Sequence, residues 1–277
     1  MGLRINTNVP SLAAQRTLGK NNEDAANSLG KLSSGTRIVR AADDAAGLAI
    51  SEKLKAKIKG LEQADRNAND GISLIQTAEG GLNEVSNILI RLRELAIQSS
   101  SDTVGDAERQ FTDLEYQNLK QEIQRIAQVT EFNGKKLLNG EGESYDFQIG
   151  INNDDFEDRI RYNASMTNST LDSLGLTELS VGSKEDSQQS LDIIDSAIQK
   201  VSGERAELGA VQNRLSSTIQ NLKSGIENLS AANSRIRDTD YASETAKATK
   251  LGILTTAGTS VLAQANMRGQ QALKLIG

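Results

Sequence analysis

The chain has 277 residues, 37% of them hydrophobic and 25% charged, with a formal net charge of −6, which is the balance of a folded, water-soluble protein. It contains no His and no Cys, so the composition excludes Ser-His-Asp and Cys-His nucleophile systems, zinc sites built from imidazoles or thiolates, and disulfides. Aromatic residues make up only 3% and Pro10 is the single proline, so we expect an aliphatic core and long uninterrupted helices.

Charge is unevenly distributed along the chain. Residues 1–40 carry six basic and two acidic side chains, and residues 241–277 carry four basic and one acidic, so both ends are basic and the middle is acidic. The basic side chains form no dense patch and have no aromatic neighbours for base stacking, which argues against a nucleic-acid partner. No run of about 18 apolar residues occurs, so we expect no membrane span.

The N-terminal arm has the spacing of an amphipathic helix. Asn6, Thr7 or Asn8 can cap it, and Pro10 lies in its first turn. Its apolar stripe consists of Ile5, Val9, Leu12, Ala25, Ala26, Leu29 and Leu32. The helix should therefore present one apolar face to a partner.

Two long seven-residue repeats follow, each typical of a long helix in a bundle. The first is Leu54, Leu61, Ala68, Ile75, Leu82, Leu89 and Ala96. The second is Ile194, Val201, Leu208, Leu215, Leu222, Leu229 and Ile236. The first repeat passes through the turn signal Asn69-Asp-Gly71 and through Gly80-Gly81 without changing phase, so we predict one continuous helix.

Between the two repeats the pattern changes twice. A shorter helical stripe uses Phe111, Tyr116, Leu119, Ile123 and Ile126, and should fold back along the first long helix. From about 132 to 182, Gly/Asn turns and alternation predict short β-hairpins and loops.

At the C-terminus an apolar stripe recurs at steps of three and four residues from Leu254 to Ile276. The fold class is therefore mainly α: a long antiparallel helical rod, residues 41–240, with a small β region. If the long helices are antiparallel, the two arms meet, and residues 1–40 with 241–277 form a second coiled-coil domain. An exposed amphipathic helix is marginal in water, so we expect the arms to bury their stripes by self-association.

Several motifs closely resemble the bacterial flagellins. They are Leu32–Ile50 (LSSGTRIVRAADDAAGLAI), Arg66–Leu74 (RNANDGISL), Arg93–Ser99 (RELAIQS), Glu131–Gly134 (EFNG), Arg235–Ala242 (RIRDTDYA) and Ala257–Asn266 (AGTSVLAQAN). The matches span both halves of the chain in order and at consistent spacing. The resemblance implies a structural subunit that self-assembles into the flagellar filament for swimming motility, in a minimal form without large outer domains.

The resemblance also implies where copies meet and with what else the chain interacts. Both arms would form an inner coiled-coil tube, disordered in the monomer, through an assembly interface of Ile5, Val9, Leu12, Leu251, Leu254, Val261, Leu262, Leu273 and Ile276. Polar contacts between subunits would come from Arg37, Asp43, Arg66, Arg91 and Arg93. Implied partners are an export chaperone, the filament cap and hook-filament junction proteins, with export to the extracellular filament through the flagellar type III channel and no cleaved signal peptide.

Immune-receptor recognition is a further implication. Arg91, Leu95 and Glu115 match positions at which flagellins contact a Toll-like receptor, although Ile90 stands where recognised flagellins usually have Gln. No catalytic, cofactor or metal site is predicted, and the pair Asp43-Asp44 fits the start of a helix better than a catalytic dyad. The alternatives to a filament subunit are a hook-filament junction protein of the same family and a secreted helical effector or adhesin.

Overall fold

The computed structural model describes residues 7–274, with side chains described up to residue 267. It contains five α-helices: α1 (Val9–Ser34), α2 (Ala45–Ser99), α3 (Asp106–Val129), α4 (Lys184–Arg237) and α5 (Tyr241–Lys274). Four short strands and one 3-10 turn (Ala164–Met166) lie between α3 and α4: β1 (Glu131–Phe132), β2 (Lys135–Lys136), β3 (Ser144–Gln148) and β4 (Arg159–Asn163). The mainly α class with a small β region is confirmed.

The chain divides into two compact units. The terminal unit comprises Met1–Ala56 with Asn228–Gly277, and the central unit comprises Lys57–Glu227. The sequence analysis placed the boundaries elsewhere, with residues 1–40 and 241–277 in one domain and 41–240 in the other. That division stays a prediction. The long helices α2 and α4 continue through both compact units.

Helix starts follow the predicted capping chemistry. The Asn8 side chain accepts a hydrogen bond from the Ser11 amide at 3.1 Å, with Pro10 in the first turn of α1. Asp44 Oδ1 accepts from the Gly47 amide at 2.8 Å and caps α2 in the same way. The helix-start interpretation of the acidic pair is therefore confirmed for Asp44.

In the terminal unit, α1 and α5 pair antiparallel. Near one end Ser11 Oγ lies 2.8 Å from Asn266 Oδ1, and towards the other end Ser28 Oγ donates to the Glu244 carbonyl at 3.4 Å. Contacts that advance along α1 therefore move backwards along α5.

The central unit has one aliphatic core shared by α2, α3, α4 and the β region. The two predicted seven-residue repeats supply Ala68, Ile75, Leu82, Leu89 and Ala96 from α2 and Ile194, Val201, Leu208 and Leu215 from α4. Helix α3 adds Tyr116 and Ile123. Arg93 pairs with Asp195, whereas Leu61 lies near Gly225, so α2 and α4 run antiparallel as predicted.

Helix α2 is continuous through Gly71, Gly80 and Gly81, as the unbroken seven-residue repeat predicts. Gly71 faces β3, where a Cβ atom would lie 3.0 Å from the Phe147 ring. A glycine at this position therefore lets the hairpin approach the helix closely.

The β region consists of two hairpins. Strands β1 and β2 pair antiparallel around Asn133 and Gly134, whose φ angles of 50° and 77° are those of a tight hairpin turn. Strands β3 and β4 pair antiparallel from Ser144↔Asn163 to Gln148↔Arg159. One expectation about α3 was wrong: Phe111 is not a core residue but is 75% exposed.

Candidate functional site

The surfaces of α1 and α5 differ strongly from one side of each helix to the other. The side on which the two helices meet is formed by two rows at steps of three and four residues, which we call the inner rows. They are Ser11, Ala14, Leu18, Asn21, Ala25, Ser28 and Leu32 in α1, and Glu244, Ala248, Leu251, Thr255, Gly258, Leu262 and Ala265 in α5; each is buried or half-buried. This is the spacing of a coiled-coil seam.

Small side chains allow the two helices to approach closely. A Cβ atom added at Gly258 would lie 3.2 Å from Leu18 Cδ1. Asn8 Nδ2 reaches across to the Ala265 carbonyl at 2.9 Å. The inner rows therefore bury mostly small or polar groups, and the hydrophobic stabilisation of this pair is modest.

Seven bulky apolar side chains of these helices point outwards instead, although Leu18, Leu32, Leu251 and Leu262 lie in the inner rows. We call them the outer apolar set: Val9, Leu12 and Leu29 in α1, and Ile253, Leu254, Val261 and Met267 in α5. Each is at least 40% exposed, and Ile253 reaches 65%. Seven exposed apolar side chains on one pair of helices are typical of an association surface.

Two hollows accompany this surface. One, of about 770 Å³, runs along α5 from Tyr241 to Leu254 with a largely apolar lining. The other, of about 620 Å³, lies between α1 and α5. Its rim carries four cations and one carboxylate: Arg16, Lys20, Lys247, Lys250 and Asp24. The terminal unit thus presents apolar and basic surface together.

The predicted assembly residues fall into three groups. Val9, Leu12, Leu254 and Val261 belong to the outer apolar set, whereas Leu251 is buried in the inner row. Leu262 is half-buried in that same row. Ile5 and Ile276, and the side chain of Leu273, lie outside the described part of the structure.

Two of the predicted polar residues lie in the segment between α1 and α2, and their hydrogen bonds stabilise its conformation. Arg37 Nη2 donates to the Ile236 carbonyl at 2.7 Å. Asp43 accepts from the amides of Arg40 and Val39 at 2.8 and 3.0 Å. These two amides lower the pKa of Asp43, so this carboxylate is ionised at neutral pH.

The other predicted polar residues lie on the central unit. Arg66 binds Gln63 in the preceding turn at 2.6 Å, and Arg93 pairs with Asp195 across α2 and α4 at 2.6 Å. The Asp195 hydrogen bond raises the pKa of Arg93. Both cations have partners in their own chain, and their contacts between subunits stay a prediction.

The residues matched to immune recognition meet on α2 and α3. Arg91 Nη2 pairs with Glu115 Oε1 at 2.8 Å, and Arg91 Nη1 pairs with Glu94 at 3.0 Å. The hydrogen bonds that Arg91 donates to Glu115 are the main cause that raises the pKa of Arg91. Leu95 is buried in the core, so only Arg91 and Glu115 present their side chains at this surface.

The predicted stripes mixed the two faces of the helices: they included Ala25 and Leu32 of the inner rows but left out the polar positions Ser11, Asn21 and Ser28. The signal was nevertheless present, since Ser11, Leu18, Ala25 and Leu32 recur every seventh residue. Over residues 7–274, no helix is both long and apolar enough to cross a bilayer. The same part of the chain contains no group of three or more acidic side chains arranged to hold a metal ion.

Comparisons with known proteins agree with the motifs. The family model for the bacterial flagellin N-terminal helical region matches residues 5–143, and that for the C-terminal helical region matches residues 191–276. A flagellin of Halalkalibacterium halodurans is 45% identical over 98% of this chain and 99% of its own length. A flagellar filament core protein of Brachyspira hyodysenteriae is 44% identical over 98% of this chain and 99% of its own length.

A solved structure extends the likeness to the fold. The crystal structure of Bacillus cereus flagellin superposes with a TM-score of 0.51 and 32% identity, covering 61% of this chain and 94% of that one. The seven-residue repeats, the antiparallel terminal helices and these matches over almost the whole length lead to one conclusion. The chain belongs to the bacterial flagellin family.

Proposed function

We propose that this chain, a structural subunit of the extracellular flagellar filament, polymerises through the outer apolar set of α1 and α5. The observation that carries the proposal is the outward orientation of Val9, Leu12 and Val261, while mostly small or polar residues line the seam between the helices. Burying one such side chain completely contributes roughly 1.5–3 kcal/mol. Several buried together would offset the entropy that a subunit loses on joining a polymer.

The outer faces of α1 and α5 differ, so a contact between α1 of one copy and α5 of the next is heterologous. Such an interface is not self-complementary, and repeating it gives an open helical polymer rather than a closed dimer. Nearly full-length similarity to a flagellin and to a filament core protein favours a filament subunit over a hook-filament junction protein. The function is then mechanical, with the chain itself as binding partner and no reaction to catalyse.

Further partners follow from family membership and belong to the same proposal. An export chaperone would cover the outer face of α5 before secretion, and the chain would pass unfolded through the flagellar type III channel without losing a signal peptide. The filament cap and the hook-filament junction proteins would contact the same helices at the two ends of the polymer. A Toll-like receptor would meet the surface around Arg91 and Glu115.

The experiment compares polymerisation of the full chain with that of a chain lacking residues 1–40 and 241–277. Sedimentation with electron microscopy of the pellet should show filaments from the full chain only. Leu12→Ser and Val261→Ser should each raise the critical concentration about tenfold, the effect of losing about 1.4 kcal/mol of contact energy. Val129→Ser, which changes an exposed side chain on α3, is the matched control. Filaments from the truncated chain would contradict the proposal.

A further inference from the structure

Sulfur is scarce in this chain, and one of its sulfur atoms lies on the outer surface of the terminal helices. The sequence contains no Cys and three Met residues, Met1, Met166 and Met267. Met267 belongs to the outer apolar set and is 53% exposed. The other members of that set are Val, Leu and Ile, whose hydrocarbon side chains offer no site to a mild oxidant. Met267 is therefore the one position at which oxidation can change the polarity of this set.

Hydrogen bonds between α1 and α5 fix the position of Met267. Asn8 Nδ2 donates to the Ala265 carbonyl at 2.9 Å, and Ser11 Oγ lies 2.8 Å from Asn266 Oδ1. Ala265 is buried in the inner row, and Met267 follows it by two positions, which is more than half a turn of the helix. The side chain of Met267 therefore points away from the seam into water, while the helix around it is held against α1.

A two-electron oxidant such as hydrogen peroxide converts an exposed thioether to a sulfoxide. The sulfur lone pair attacks one peroxide oxygen, so that a sulfur–oxygen bond forms and the oxygen–oxygen bond breaks. The sulfur is oxidised by two electrons, and the departing hydroxide takes the proton from the transferred oxygen and leaves as water. The product carries a polar S=O group in place of an apolar sulfur. Met166, at 63% exposure in the central unit, should react in the same way as Met267.

The consequence of a sulfoxide depends on what surrounds it. In a single copy the side chain of Met267 faces water, which can donate a hydrogen bond to the new oxygen, so the fold should keep its stability. In a polymer built through the outer apolar set, apolar groups of another copy would cover the same oxygen. Burying a polar group without a hydrogen-bond partner is unfavourable, so oxidation should weaken assembly and spare the monomer.

We infer that Met267 is a modification site, and that its oxidation to the sulfoxide by a peroxide withdraws the chain from polymerisation. The inference rests on the proposed function, since it requires the outer apolar set to be the surface between copies. It adds a chemical control to that function: free subunits are sensitive to peroxide, whereas polymerised subunits are shielded because the sulfur is covered. Reduction by a methionine sulfoxide reductase would restore the thioether and, with it, assembly.

The test oxidises the full-length monomer with hydrogen peroxide, removes the oxidant and measures the critical concentration for growth from unoxidised seeds. Oxidation should raise that concentration at least about tenfold, the effect of burying one unpaired polar group. Met267→Leu keeps an apolar side chain without sulfur and should polymerise equally well before and after peroxide. Met166→Leu is the matched control, because it removes a comparably exposed sulfur from the central unit and should leave the peroxide effect in place.

Further measurements separate this site from general damage by the oxidant. Treating the oxidised chain with methionine sulfoxide reductase and a thiol reductant should return the critical concentration to within about threefold of its original value. Thermal unfolding followed by circular dichroism should give the same midpoint for oxidised and untreated monomer. Peptide mass spectrometry should show that Met267 is oxidised at least about tenfold more slowly in filaments than in monomers, because reaction there requires local opening.

The outcomes also separate this inference from the proposed function. An unchanged critical concentration after complete oxidation of Met267, or a peroxide effect that persists in Met267→Leu, would overturn the inference and leave the role of α1 and α5 untouched. Equal oxidation rates of Met267 in filament and monomer, or a lowered unfolding midpoint of the oxidised monomer, would also overturn it. Failure of the untreated natural chain to polymerise even with filament seeds would reject both.

Discussion

Gly80 and Gly81 are neighbours in α2 with opposite surroundings. A Cβ atom at Gly80 would meet nothing within 4 Å, whereas one at Gly81 would lie 2.6 Å from Leu138 Cδ1 and 2.9 Å from Thr130 Oγ1. We expect Gly80→Ala to stabilise the chain by about 1 kcal/mol through helix propensity. Gly81→Ala should destabilise it by about 2 kcal/mol through overpacking. Urea unfolding of the two variants measures both changes in the free energy of unfolding. Stabilisation by Gly81→Ala would contradict the prediction and would show that Leu138 and Thr130 move aside without cost.

Glu204 is a buried carboxylate with an incomplete set of hydrogen bonds. Its Oε2 accepts from Ser169 Oγ at 3.2 Å, and its Oε1 accepts nothing from the described residues. Burial raises the pKa of Glu204, so the ionised form weakens the fold at neutral pH. We expect Glu204→Gln to raise the free energy of unfolding at pH 7 by about 1 kcal/mol.

The pH dependence gives this prediction a second readout. Because the folded pKa of Glu204 is raised, the native protein takes up the proton at a higher pH than the unfolded chain does. As the pH falls from 7 through that folded value, the natural chain gains stability and the difference from Glu204→Gln should shrink. Exposed Glu178→Gln is the control. An advantage of Glu204→Gln that is constant down to pH 5 would mean that desolvation of this carboxylate is not its cause.

At the scale of elements, a row of polar side chains on α3 holds the segment 177–181 that leads to α4. Asp113 Oδ1 accepts from the Val181 amide at 2.8 Å, and Lys120 Nζ donates to the Leu179 carbonyl at 2.7 Å. Burial lowers the pKa of Lys120, and Asp113 partly opposes that effect. We expect Asp113→Ala to cost about 2 kcal/mol, because it leaves a half-buried amide without its charged acceptor.

Hydrogen exchange locates the effect of that substitution. The amide of Val181 should exchange faster in Asp113→Ala, while amides in the middle of α2 should keep their order of protection. Glu178→Ala changes an exposed carboxylate in the same segment. It should leave unchanged the exchange rate of the Val181 amide and the protection of the α2 amides. Uniform loss of protection over the whole central unit would contradict a local role for Asp113.

The elements themselves show what the sequence could predict. Helices α2 and α4 follow from their seven-residue repeats, because large aliphatic side chains at regular spacing can be buried on only one face. In α1 and α5 that rule is less reliable, since most inner-row residues are small or polar and many large side chains, such as Val9 and Val261, point outwards. In a subunit the largest apolar residues need not mark the core of the single chain, because neighbouring copies can supply part of their burial.

The candidate site, like the fold, could be predicted only in part from the sequence. Periodicity and family resemblance led to the terminal helices, and four of the predicted interface residues do lie in the outer apolar set. The cleft of about 390 Å³ between the β3–β4 hairpin and α4, lined by Phe156, could not be predicted, because it depends on which face of α4 the hairpin covers. The pairing of β3 with β4 creates that contact across a loop of ten residues, 149–158, whose own sequence carries no repeat.

At the scale of the whole molecule, the two units differ in how much apolar surface they bury. Among the described residues, the terminal unit buries only Ile38, Leu251 and Ala265 as apolar side chains, whereas the central unit has a continuous aliphatic core. Apolar burial is the main source of stability, so the helices of the terminal unit should open more readily than those of the central unit in a single copy.

That difference predicts how exchange responds to assembly. In the monomer, amides of α1 and α5 should exchange at least about a hundredfold faster than those of α2 between Ile75 and Leu92, a gap of about 2.7 kcal/mol in opening free energy. If the outer apolar set is the assembly surface, as proposed above, other copies cover it in filaments, and α1 and α5 should approach the protection of α2. Hydrogen exchange with mass spectrometry on monomer and pelleted filament measures both states. Equal protection of α1 and α2 in the monomer would mean that the inner rows alone stabilise the terminal helices, and that assembly is not needed to order them.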